Sequence, residues 1–282
     1  MKGEKDLNNN WHGGLVEWED NDTAFISVVF SWKLQEAYQK AIWYKSMGYN
    51  VVVGGTAVAY NPTYFAGVAD VLDTFDNVLT RHNPNATFTT RGCIRKCPFC
   101  IVPIIEGEFR EIEYFIPKPI VCDNNFLASS KKHFDNVIDK LKPLRGIDFN
   151  QGLDARLLNK YMATRLAELD IKFIRLAFDH ISTEKRLLSA HKLLLDAGIP
   201  PKKIRVYCLI GFNDTPDDAL YRLELVRKLG SLPNPMRYQP LNASRRNSYI
   251  DINWTERELK NIMRYYSRLI YLGHIKFEEY RV

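Results

Sequence analysis

Between residues 86 and 240 the chain alternates six short β-rich runs with amphipathic stretches of helical period, and this alternation restricts the fold more than any other feature. The runs are residues 86–90, 119–122, 146–150, 172–178, 203–211 and 236–240. Helical patterns fall at 130–141, where Phe134, Val137, Ile138 and Leu141 share a face, at 160–169, and at 184–197 between a capping Thr183 and a terminating Gly198. A further helix starts at Thr215, with Pro216 in its first turn and Asp217 and Asp218 at the positive end of its dipole. Strands that alternate with helices pair in parallel and are covered by those helices. The pattern predicts an α/β fold, a partial (β/α)6 TIM-like barrel spanning 86–243, with chemistry at the C-terminal ends of its strands.

Residues 1–85 carry one more unit: strand 24–30, helix 33–47 and strand 50–54. The helix sets Leu34, Ala37, Tyr38, Ala41 and Ile42 on one face. A small N-terminal βαβ extension is therefore expected, ending in the polar stretch 81–85. A helical tail, 244–282, follows the barrel, and its helix opens with the capping box Thr255 and Glu258. With 46% hydrophobic and 26% charged residues the composition argues against extended disorder. No apolar run approaches the roughly 20 residues that span a bilayer. Residues 1–10 lack the apolar core of a signal peptide, so the expected location is cytoplasmic, with no membrane partner. A net charge of +6 permits an anionic partner without demanding one, and Lys202–Lys203 and Arg245–Arg246 read first as solvated surface.

Three of the five cysteines, Cys93, Cys97 and Cys100, fall in a CxxxCxxC loop directly after the run 86–90, while Cys122 and Cys208 stand alone. An odd count in a reducing compartment argues against a disulfide framework and for a metal site. Thiolates suit iron–sulfur clusters, and Arg91, Arg95 and Lys96 are expected to ease their charge and lower the thiol pKa values. Three cysteines can ligate three irons of a [4Fe-4S] cube and leave one iron open. The other reading is a structural zinc site completed by Cys122 or His82.

With Phe99 just ahead of its third cysteine, the loop resembles the signature of the radical S-adenosylmethionine (SAM) superfamily. The resemblance implies that the open iron holds the amino and carboxylate groups of SAM. An electron from a donor such as flavodoxin or ferredoxin then releases a 5′-deoxyadenosyl radical, which takes hydrogen from a substrate. It also implies that Phe99 packs near the adenine and that Asp123 and Asn124, ending the second strand, hold the SAM amino group; an ordinary polar turn predicts the same two residues. After the third strand, Gln151 faces the barrel mouth, and Arg156 is a candidate for the SAM carboxylate or a substrate anion, or else pairs with Asp154. Gly211 resembles the glycine that lets the backbone approach the nucleoside, although a strand-to-helix turn also favours it. Asp179 and His180 read as a proton-handling pair or as turn groups, with Arg175 nearby, and 236–240 reads as a substrate wall or a core strand. Cys208 reads as a buried, inert thiol.

Residues 25–58 resemble the last βαβ portion of a cobalamin-binding domain, and 90–113 resemble that subfamily and the methylthiotransferases. The cobalt-ligating Asp-x-His-x-x-Gly motif is absent, and the extension is short, so it reads as a reduced remnant and cobalamin is not expected. Methylthio transfer would want three further cysteines, and only two remain. The leading expectation is a SAM-cleaving radical enzyme. The alternatives are a nucleic-acid base modification enzyme, supported by the basic balance and Arg245–Arg246, and a non-catalytic zinc-stabilised binding module.

Overall fold

Leu15–Asp20 (β1) and Thr23–Val28 (β2) pair antiparallel across a two-residue turn, in which Asn21 adopts a φ of 54°. Asn tolerates this left-handed conformation better than most residues. The helix Leu34–Ser46 then carries the chain to Asn50–Gly54 (β3), parallel to β2, and Asp70–Leu72 (β4) lies parallel on β3. A computed structural model describes residues 10–73, 75 and 77–280. Residues 1–9 of the polar N-terminal segment lie outside them. The extension is thus a four-stranded sheet, larger than the expected βαβ unit. Its own core joins Ala24, Ile26, Val28, Val51 and Val53 to Leu34, Ala37, Ala41 and Tyr44 of the helix. Ile42, expected on the buried face, is 43% exposed because the buried stripe runs on to Tyr44 instead.

Ala86–Thr87 (β5) opens the second sheet, and Thr90–Arg91 (β6) pairs antiparallel with Arg110–Glu111 (β7), so the two bracket the cysteine loop. Ile120–Val121 (β8), Ile147–Phe149 (β9), Ile171–Ala177 (β10), Ile204–Ile210 (β11) and Leu232–Arg237 (β12) follow. Strands β5, β8, β9, β10, β11 and β12 form one six-stranded sheet in that order, every pair parallel. Along the chain the six follow one another in the same order, with the β6–β7 pair interposed between β5 and β8. The last strand begins four residues before the expected 236. Pro233 and Pro235 mask it in the sequence, and they are tolerated because β12 is an edge strand among the described residues.

Side chains alternate across β11: Ile204, Val206, Cys208 and Ile210 are fully buried against the helices. Leu187, Ala190 and Leu194 of helix Glu184–Asp196 and Ala219, Leu223 and Val226 of helix Pro216–Lys228 complete that layer. Burial pushes the Cys208 thiol up to about 12, which leaves it unreactive. The tail helix Glu256–Tyr266 adds Leu259, Ile262, Tyr265 and Tyr266 to the same core. The capping box at Thr255–Glu258 and the Thr215 cap form as expected, and Asp218 turns the latter into a second capping box, whereas Thr183 makes no side-chain cap; His180 instead caps the short turn Ile181–Thr183. The other face carries an apolar cluster of Ala86, Ile120 and Cys122 at β5 and β8, and polar groups from β9 to β11. Asp148 pairs with Arg175 there, Tyr207 Oη donates to the Asn150 carbonyl (2.9 Å), and the Arg205 guanidinium lies 3.7 Å from the Phe173 ring centroid. Among the described residues no helix is long and apolar enough to cross a membrane.

His82, at the end of the short helix Val78–His82 that precedes β5, is anchored on the N-terminal extension. Its Nε2 lies 3.0 Å from Ser27 Oγ on β2, and its carbonyl accepts from His12 N. Burial, reinforced by the charge of His12, pushes its pKa from 6.5 down to about 4. The unfolded chain therefore binds the extra proton between these values, and stability falls as pH drops from about 6.5 to 4, by roughly 3 kcal/mol at most from this group. His191 is shifted downward by burial too, so the test is a difference. His82→Gln should be less stable than wild type at pH 7 but should lose less stability on acidification in urea unfolding. Equal acid slopes would assign the effect elsewhere.

Candidate functional site

All six strands of the parallel sheet deliver their C-terminal ends to one edge, and the cysteine loop follows the first of them by way of β6. Gly92 turns the chain into the loop at φ 72°, where a Cβ would stand 2.1 Å from the Glu108 carbonyl oxygen. Only glycine fits that crossing. The three loop thiols are half-buried and close enough for Cys93 and Cys97 to act electrostatically on Cys100. Two N–H groups reach Cys93 Sγ: the backbone of Arg95 (3.3 Å) and the amide of Asn125 (3.5 Å). The Cys100 N–H donates to the Cys97 carbonyl (3.0 Å), closing a tight turn between them.

The expected cations are spent elsewhere. Arg91 pairs with Glu106 (2.8 Å) and Arg95 with Asp154 (2.9 Å), while Lys96 is exposed. Burial pushes the Cys97 and Cys100 thiols up rather than down, and the cation that opposes the rise at Cys97 is Arg156. This corrects the expected lowering by Arg91, Arg95 and Lys96.

The strand ends brace the loop at three points. Asp123 is buried, and its carboxylate accepts from the N–H (2.6 Å) and the hydroxyl of Thr89, which leads into the loop. Burial raises the Asp123 pKa against these hydrogen bonds. Glu106 accepts from Gly92 N (2.8 Å) and Asn124 Nδ2 (2.7 Å) besides Arg91, joining the loop to the end of β8. Asp154 is shared between Arg95 of the loop and Arg156, whose Nε lies at 2.6 Å. Burial works to raise Asp154, but hydrogen bonds from Arg156 and Arg95 outweigh it and hold the carboxyl below its usual range. Sequence reasoning missed Glu106 and Asn125. Neither carries a local signal, because each acts on a partner brought in by the fold.

Phe99 lies against Phe212 at 5.7 Å between centroids, so the cysteine loop meets the end of β11 at Gly211. Gly211 has φ 76°, and its N–H donates to Asp214 (3.0 Å). Gln151 is exposed in the turn after β9. Asp179 and His180 are not joined as a proton-handling pair: Asp179 accepts from Leu209 N (3.1 Å), and His180 Nδ1 lies 2.8 Å from Ser182 Oγ. Arg175 is buried on Asp148. Cys122 is buried beside the site, its thiol pushed up to about 12. Among the described residues no three His, Cys, Asp or Glu side chains gather as they would around a single metal ion. No protein-family model matches the chain, and no curated protein matches it.

Proposed function

We propose that the chain is a radical SAM enzyme whose [4Fe-4S] cluster is ligated by Cys93, Cys97 and Cys100. The observation that carries this reading is the CxxxCxxC loop at the C-terminal edge of a six-stranded parallel sheet, with N–H donors on Cys93. Sequential strand order without reversal is the winding of a (β/α) barrel, whereas doubly wound sheets reverse at a switch point. We therefore read the sheet as an open (β/α)6 barrel in which the face bearing Asp148, Arg175 and Tyr207 lines the lumen.

The donor set fits the cluster. Soft thiolates, N–H···S hydrogen bonds and a nearby guanidinium, that of Arg156, all suit an anionic iron–sulfur group. A cube takes each thiolate on a separate iron, so the sulfurs stand apart, whereas a single zinc needs four converging ligands. When bound, the cluster and SAM supply a 5′-deoxyadenosyl radical for hydrogen abstraction. The chain's own residues hold and shield. Asp123 and Glu106 fix the two limbs of the loop through Thr89 and Gly92. With Asp123 occupied by Thr89, the carbonyl of Asn124 is the acceptor we assign to the SAM ammonium, with Gln151 on the same edge. The guanidinium of Arg156, anchored by Asp154, faces the SAM carboxylate in this reading. Phe99 and Phe212 would exclude water beside the adenine, and Gly211 would let the backbone come close. Five free thiols suit a reducing compartment such as the cytoplasm, where flavodoxin or ferredoxin would be the electron donor.

Dithionite reduction of the reconstituted protein in the presence of SAM tests the reading. Formation of 5′-deoxyadenosine is expected. Intact SAM beside a fully loaded cluster contradicts it.

A further inference from the structure

We propose that the loop after β12 grips the phosphates of a single-stranded nucleic acid, one base of which stacks on an aromatic row beside the cysteine loop; this names the substrate class of the proposed enzyme and rests on that reading. The row begins at Phe99, between the second and third cysteines. It runs through Phe212 to Tyr238 (4.6 Å between centroids) and on to Tyr249 (5.2 Å). All four rings are partly exposed, so the row is a surface rather than core. Stacking on such rings is how proteins hold unpaired bases irrespective of sequence.

Tyr238 and Tyr249 are the two ends of a loop that displays Arg245 and Arg246. The loop is built, not slack. Gln239 and Asn247 close its neck with two hydrogen bonds of 2.9 Å, Nε2 to Oδ1 and Asn247 N to Oε1. Ser31 Oγ of the N-terminal extension donates to the Ala243 carbonyl (2.7 Å), which pins the middle. Arg237 NH2 holds the Tyr249 carbonyl (2.7 Å). Both loop arginines are exposed, and among the described residues neither pairs with an acidic side chain. Two unspent guanidiniums fixed at one end of a stacking row suit a phosphate backbone whose base lies toward the cluster. The other basic pair, Lys202–Lys203, precedes β11 at the opposite edge of the sheet. It provides a charge-matched control.

The test uses the full-length protein with labelled RNA and DNA single strands of about twelve nucleotides. Arg245→Ala/Arg246→Ala is expected to weaken binding about tenfold or more and to flatten the dependence of log K on log salt by about 1.4, for two lost phosphate contacts. Tyr249→Ala should also weaken it about tenfold, through the stacking term. Lys202→Ala/Lys203→Ala should leave it unchanged. Equal weakening by the lysine pair, indifference to Tyr249→Ala, or a mononucleotide that competes as well as a strand each overturns the proposal. SAM cleavage by wild type, measured in the same preparation without nucleic acid, separates the two readings. Cleavage without strand binding sinks this inference alone, and strand binding without cleavage sinks the proposed function.

Discussion

Arg222→Met is expected to destabilise the protein by about 3–5 kcal/mol, the range for breaking a buried ion pair by removing one partner. Arg222 is 1% exposed, in the helix that follows β11. One of its terminal nitrogens donates to the carbonyls of Phe178, Asp179 and Leu209 at 2.8–3.0 Å, and the other pairs with Asp214. Asp214 in turn accepts from Gly211 N, Phe212 N and Trp254 Nε1. A single guanidinium thus holds the C-terminal ends of β10 and β11 at the separation that sets Phe212 beside Phe99. Burial raises the Asp214 pKa, and the charge of Arg222 is the first force against that rise. Without it, a buried carboxylate loses its counter-charge and three buried carbonyls lose their guanidinium donor. Urea unfolding at pH 7 reads the loss. Arg222→Met/Asp214→Asn should recover part of it, because the stranded charge is gone. A single variant as stable as wild type would show that the strand ends are held by something else.

Cys97→Ala is expected to keep the fold and lose the iron. The thiol is half-buried and lies in a loop outside the packed layers, so truncation costs little packing. As one of three proposed ligands, it is indispensable to the cluster. The variant should unfold within about 1 kcal/mol of wild type, carry no iron–sulfur chromophore after reconstitution, and form no 5′-deoxyadenosine. Cys208→Ala is the control: it removes a fully buried thiol on the helix side of β11 and should retain the chromophore. Full iron in Cys97→Ala, or its loss in both variants, would move the ligands away from the CxxxCxxC loop.

What the sequence revealed follows from the range of the forces involved. Capping at Thr215–Asp218 and Thr255–Glu258 was legible because those hydrogen bonds close within three residues. The six-strand alternation was legible because helix and strand impose different periods on apolar residues. β1 was not, since LVEWED leaves its polar half in water and is recognisable only by its pairing with β2. Prolines hid the start of β12. In the site, the cysteine spacing is local and was read directly, as was the aromatic neighbour Phe99. The braces act across the chain: Glu106 reaches Gly92 over 14 positions, Asn125 reaches Cys93 over 32, Asp123 reaches Thr89 over 34 and Arg95 reaches Asp154 over 59. No short-range pattern encodes such partners. For the same reason Asp123 was found by position while its hydrogen bonds to Thr89 emerged only in the fold, whereas the Arg156–Asp154 pair, two residues apart, was one of the readings the sequence offered.

The most direct measurement is the iron, acid-labile sulfide and zinc content of the anaerobically reconstituted chain, read beside its visible absorption. About four irons and four sulfides per chain are expected, lost when any one of Cys93, Cys97 or Cys100 is replaced by Ala. A colourless protein that carries about one zinc per chain and no sulfide would contradict the cluster and make the cysteine loop a structural metal site.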